Sequence, residues 1–430
     1  MRYKETDTHY LSEAFTVGVV EISNYYSGTG TESNPYIIKT YEHLTAINGE
    51  TGQYFRLDND ISFAEKPALT APINLNVANF DGNGKTISNV ELNILYNRTD
   101  NVSLGFFNYG YIEHLTVLNL GFTVTLGDEL INNQRVNSGL IAGMGSIQDC
   151  FASGSLTVSK DEEAGKILLY VGGIVGYTYS GTEITDCGSE VDIIVETADA
   201  TSGDAISVGG VVGRVEDAPL IARSYYSGDI SVTGGRGQIG GIFGYYIYYE
   251  QDGATIRDCY SVGTIEADLH ETTTPTYIGG IGGQTRIKMA NCYSDMDIDV
   301  NSGSAVCVGG LYGYGNATSS TDTIIQKSFY SGVITVTPSG TMNVFVGCIL
   351  PPKLSATQNN LFELTDCYFN SDASYQENGI YESIVIDTTQ ATGADYTSLI
   401  SETWQRANLG WSEDIWFFED GSYPTFRRSA

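Results

Sequence analysis

The chain has few basic residues. Twenty-one Lys and Arg stand against 52 Asp and Glu, a net charge of −31. Such a surface repels nucleic-acid phosphate and anionic lipid, so neither is expected as a partner. Proline is scarce, at nine residues, while glycine reaches 50 and hydrophobic residues 41%, which excludes a disordered or collagen-like chain. No run approaches the ~18 apolar residues of a membrane span. The first twenty residues lack a basic segment followed by an apolar core, so no secretory signal is visible. The protein is therefore expected either to have lost such a signal or to reach its location by another route, such as on a phage particle. There are four histidines, His9, His43, His114 and His270, and none lies in a nucleophile motif such as G-x-S-x-G.

Cysteine is present in a form that excludes two common uses. Cys150, Cys187, Cys259, Cys292 and Cys367 occupy one repeat position, with Ser224 and Ser328 standing in elsewhere. No C-x-x-C pair occurs among them, which argues against zinc, and an odd total of seven argues against a disulfide framework. Small side chains in an inward-facing ladder account for the pattern.

What the chain does have is a repeat. Tyr170–Tyr177 reads Y-V-G-G-I-V-G-Y, and related segments lie at 208–213, 239–244, 278–283 and 308–313, with looser ones at 138–143 and 346–350. The second glycines fall at 139, 173, 210, 241, 280, 310 and 347, a drifting period in the thirties. That is the mark of a solenoid whose coils carry loops of different length. Between the glycine segments come short strands opened by a polar-Cys-aromatic signature, as in Asp149-Cys150-Phe151 and Asn291-Cys292-Tyr293. Each coil is thus short strands joined by turns. Stacking about ten coils at 4.8 Å predicts a rod on the order of 50 Å long. The glycines are expected at corners that need φ > 0, with Ile174, Val211, Ile242, Ile281 and Leu311 filling the interior.

The expected organisation is an extended leader or anchor over 1–27, an N-terminal cap with the first coils over 28–104, regular coils over 105–350, and the last coils with a Trp-containing cap over 351–430. Thr40 can cap a short helix from Tyr41 to about Asn48. A second helix is expected around 396–406, near the three Trp residues at 404, 411 and 416.

Several segments together resemble the GLUG-motif β-helix proteins, found in large bacterial surface adhesins and at the N-termini of some secreted immunoglobulin A peptidases. They are G-T-G-T-E-S-N-P-Y-I-I from Gly28, Y-F-R-L-D-N-D-I-S from Tyr54, F-D-G-N-G-K-T-I-S-N from Phe80, the repeated glycine segments and the terminal Y-P-T-F. The resemblance implies an all-β, right-handed, single-stranded parallel β-helix and a cell-surface or extracellular role. It carries no catalytic residues.

Function is expected in what varies between repeats. Tyr177 and Tyr179 follow one glycine segment, and Tyr245, Tyr246, Tyr248 and Tyr249 follow another, within a chain of 30 tyrosines. Stacking of repeats could align them into an aromatic strip that holds a glycan or protein receptor, or into a ladder that only stabilises the stack. Asp295, Asp297 and Asp299 alternate on one strand face and are the candidates for Ca²⁺ or for acid catalysis on sugar; the alternative is a solvated face with Met296, Ile298 and Val300 inward. No other cofactor is expected. The leading expectation is a non-enzymatic receptor-binding protein on a cell or virion surface, able to contact other surface or virion subunits and to oligomerise. A polysaccharide lyase or hydrolase is the other class.

Overall fold

In a computed structural model, the structure describes residues 25, 27–162, 164–179, 181–197, 205–217, 220–247, 255–270, 274–285, 287–303, 305–315, 324–338, 344–351, 363–373, 376–377 and 391–427. Nearly all of the leader, together with Tyr248 and Tyr249, lies outside these residues.

The strands stack in parallel and in register. One ladder runs from Tyr36 through Phe55, Phe80, Ile112, Ile147, Ile184, Ile221, Ile256, Met289 and Ile325 to Leu364. Ten steps at the usual strand spacing span roughly 48 Å. A separate eight-stranded parallel sheet, from Val102–Leu104 to Val344–Gly347, forms another wall of each coil. The fold is a parallel β-helix.

Strand alternation sets what points inward. Along Gly188–Thr197, Val191, Ile193 and Val195 are buried while Glu190, Asp192 and Glu196 are exposed. Ile193 stacks between Leu156 and Ile230, so identical apolar positions pile into one continuous core. The residues between the corner glycines, Ile174, Val211, Ile242, Ile281 and Leu311, are fully buried. The seven cysteines are free and buried. In the expected ladder Cys150, Cys187, Cys259 and Cys367 each direct Sγ at the carbonyl two residues back, as Cys292 also does. Burial pushes the Cys187 thiol up to about 12, which disfavours its thiolate.

The corners differ from the expectation. The paired glycines of the repeat do not have positive φ. They are small because successive coils approach backbone to backbone. A Cβ on Gly173 would lie 2.1 Å from the Gly210 carbonyl oxygen, one on Gly210 2.2 Å from that of Gly241, and one on Gly241 2.2 Å from that of Gly280. The left-handed positions fall instead on the residue before each cysteine or its stand-in: His114, Asp149, Asp186, Arg223, Asp258, Asn291, Lys327 and Asp366, with φ between 47 and 58°. Asp and Asn, which tolerate this conformation best, hold five of the eight.

At the N-terminal end the helix Tyr41–Thr45 is capped by Thr40, whose hydroxyl accepts from the His43 amide, and Leu44 is fully buried. It is shorter than predicted. Toward the C-terminus two helices, Tyr396–Leu399 and Glu402–Asn408, precede a small antiparallel pair, Trp416–Phe417 with Thr425–Phe426. This module lies along the flank of the β-helix. Trp416 is fully buried and its indole N–H donates to Asp258 Oδ1 at 3.2 Å, while Trp411 donates to the Lys327 carbonyl at 2.8 Å. Among the described residues no helix is long and apolar enough to cross a membrane.

Candidate binding surface

The polar-Cys-aromatic signature has a geometric meaning. Its first residue turns the chain, its cysteine points into the core and its third residue points out. The third residues align as Thr116, Phe151, Gly188, Tyr225, Tyr260, Tyr293, Phe329 and Tyr368. Parallel register lays the rings flat on one another: Tyr225–Tyr260 and Tyr260–Tyr293 are 5.1 Å apart, and Tyr293–Phe329 4.9 Å, all within 11° of coplanar. The C-terminal module closes over the upper part of this column with Trp411, Trp416, Tyr423 and Phe426. Its lower part emerges beyond Phe426, where a groove of about 460 Å³ opens against Asp414, Ile415 and Arg427.

The expected tyrosine strip forms on a different face and is interrupted. One outward column reads Tyr109, Met144, Tyr177, Arg214, Tyr245, Gln284, Tyr314. Tyr177 stacks on Tyr179, with centroids 6.5 Å apart, and the Tyr179 hydroxyl meets those of Tyr109 and Tyr111, the latter at 3.4 Å. Tyr111 is 38% exposed and Tyr179 half-buried. Tyr177 itself is buried, donates to Glu216 Oε2 at 3.2 Å and lies under the Arg135 guanidinium; burial and Glu216 push its hydroxyl up to about 12. Arg214 separates this cluster from Tyr245, with its guanidinium 5.0 Å from the Tyr170 ring and 4.9 Å from Tyr245. Tyr246 has to be removed from the candidate surface. Strand alternation turns it inward, where it is fully buried edge-on to Phe243.

Asp295, Asp297 and Asp299 lie on one face of the strand Tyr293–Ser302, with Asp297 and Asp299 exposed. Met296, Ile298 and Val300 point inward. Asp297 Oδ1 accepts from the Val333 amide at 2.9 Å. Asp295 is half-buried beside the module; burial and then Asp297 push its carboxyl up to about 6, against hydrogen bonds from Ser331 and Tyr423. Among the described residues the acidic and histidine ligand atoms that converge are those of Asp81, Glu113 and His114, with His114 Nδ1 3.0 Å from Asp81 Oδ1. Burial opposes protonation of this histidine, but Asp81 and Glu113 prevail and raise its pKa.

Residues 168–194 match the family model described as the GLUG motif. Halomucin of Haloquadratum walsbyi (strain DSM 16790 / HBSQ001) is 33% identical over 103 residues, 24% of this chain and 1% of that protein. The matched segment therefore spans only a hundredth of the length of this relative. A crystal structure described as that of a candidate immunoglobulin A1 protease from Bacteroides ovatus superposes with a TM-score of 0.45 at 19% identity, covering 95% of this chain and 96% of that one. The chain is a parallel β-helix that carries the GLUG motif.

Proposed function

We propose that the chain is a non-enzymatic, adhesin-like β-helix that works outside the cell, on a cell or virion surface, and binds a glycan or protein receptor. The observation that carries this reading is the tyrosine cluster of Tyr109, Tyr111, Tyr177 and Tyr179. It sits on the outer face of a rod held rigid by register-matched strands, with the ring of Tyr111 and the edge of Tyr179 open to solvent. Tyrosines offer a broad apolar ring and a polar tip at little entropic cost, which suits a recognition surface. The motif match and the net charge of −31 support display outside the cell. The likeness to part of a halomucin agrees with this placement.

The test is binding of the labelled full chain to intact cells and to immobilised glycans, compared with Tyr111→Ala and Tyr179→Ala. Retention of the wild-type chain and its loss in the variants supports the reading; equal retention of all three overturns it. Antibody detection on unpermeabilised cells and in purified phage particles separates the bacterial-surface version from the virion version. Any receptor contact with Tyr245, and any contact with other surface subunits, is part of the same proposal.

A further inference from the structure

The groove beside the C-terminal module is a second surface, and its argument does not depend on the tyrosine cluster. Three features define it. Its floor is aromatic: Phe151 and Tyr225 hold outward positions of one column with Gly188 between them, and Phe426 closes the far side 6.2 Å from Tyr225. At Gly188 the column lacks a side chain, and a Cβ there would lie 2.5 Å from the Tyr225 ring, so that ring leans into the gap. Gly188 lines the groove between Phe151 and Tyr225. Its rim is polar and mixed in sign. Asp149, Asp186 and Arg223 come from successive left-handed corners, and Asp414 and Arg427 from the module.

These rim groups differ in how they are engaged. Arg223 clamps Asp186 with two hydrogen bonds of 2.6 Å. Among the described residues the exposed Asp149 carboxylate makes no hydrogen bond or ion pair, and the Arg427 guanidinium donates through Nε alone, to the Glu413 carbonyl. The groove thus holds free acceptors and free donors around flat apolar faces. Three carboxylates against two guanidinium groups, on a chain of net charge −31, disfavour an anionic ligand. A purely apolar ligand would leave the rim unsatisfied. A pyranose has an apolar C–H face for the rings and a belt of hydroxyls that both donate and accept. The volume, about 460 Å³, lies within the usual range for small-ligand sites.

We propose that this groove is a binding subsite for an uncharged oligosaccharide, stacked on Phe151 and Tyr225 and hydrogen-bonded by Asp149 and Arg427. The experiment presents the full chain with an array of neutral gluco-, galacto-, manno- and N-acetylglucosamine oligosaccharides, with uronate-bearing ones as comparators. The best neutral binder is then titrated calorimetrically against wild type, Asp149→Asn, Phe151→Ala and Tyr179→Ala. Asn suits the left-handed backbone at 149, so the fold survives that change. The expected result is a neutral ligand bound about tenfold more weakly by Asp149→Asn and by Phe151→Ala than by wild type. Capture of no neutral oligosaccharide, preference for uronates, or wild-type affinity in Asp149→Asn overturns it. Affinity lost only in Tyr179→Ala also overturns the groove, while upholding the tyrosine cluster. Binding accompanied by release of new reducing ends upholds the groove and overturns the non-enzymatic reading.

Discussion

Asp295 makes the docking of the C-terminal module depend on pH. Its carboxyl is half-buried where the strand Tyr293–Ser302 meets Ser331 and Tyr423, and burial with the neighbouring Asp297 raises it from 3.8 to about 6. The docked state therefore holds a proton that the unfolded chain releases near pH 4. Between these values the native state binds more protons than the unfolded one, so stability falls as pH rises. Above about pH 6 the loss is complete, and at 1.36 kcal/mol per pH unit the gap amounts to about 3 kcal/mol. Asp295→Asn removes the ionisation and keeps the shape. The variant should match wild type near pH 4 and exceed it by up to about 3 kcal/mol at pH 7.5. All three Trp residues lie at 404, 411 and 416, within the module, so intrinsic fluorescence during urea unfolding reports on it selectively. Parallel pH profiles for the two proteins, or a variant less stable at pH 7.5, would refute the reasoning.

Other consequences follow from the same geometry. Gly210→Ala should lower stability by about 3 kcal/mol or more, read by chemical denaturation, because its Cβ would sit 2.2 Å from a carbonyl that cannot move without the next coil. Trp416→Ala, emptying a fully buried site, should cost about 3–5 kcal/mol and expose the Tyr260–Phe329 column to a hydrophobic dye. Arg223→Ala should cost less than about 1 kcal/mol in thermal unfolding, since its pair with Asp186 is partly exposed. In native buffer at pH 8 a thiol reagent should label none of the five ladder cysteines until the chain is denatured.

Much of this fold is legible in the chain because repetition amplifies weak signals. One Gly-Gly pair means little, but a series of them in register requires coils that touch through their backbones. The substitution of Cys by Ser224 and Ser328 showed that the position wanted a small inward side chain, and both serines donate to the carbonyl two residues back, as the thiols do. Backbone angle was less legible. The left-handed residue of each signature is not glycine but Asp149, Asp186 and their equivalents, and at five of the eight a short Asp or Asn side chain stands where glycine was expected. The phase of Tyr245 and Tyr246 was hidden because a run of tyrosines shows no alternation, and a one-residue shift moves a ring from surface to core. The groove was least legible. Its walls join Phe151 and Tyr225 to Phe426 across some two hundred residues or more, and nothing local in the signature shows that its aromatic residue would stack, or that a distant module would cover only part of the stack.

Recognition without turnover is the core of the functional account. Its most direct measurement is equilibrium binding of the full chain to immobilised neutral oligosaccharide, with the ligand recovered afterwards and its chain length determined by mass spectrometry. The account predicts saturable binding and ligand recovered at its original length; failure to bind, or ligand recovered in shortened form, would contradict it.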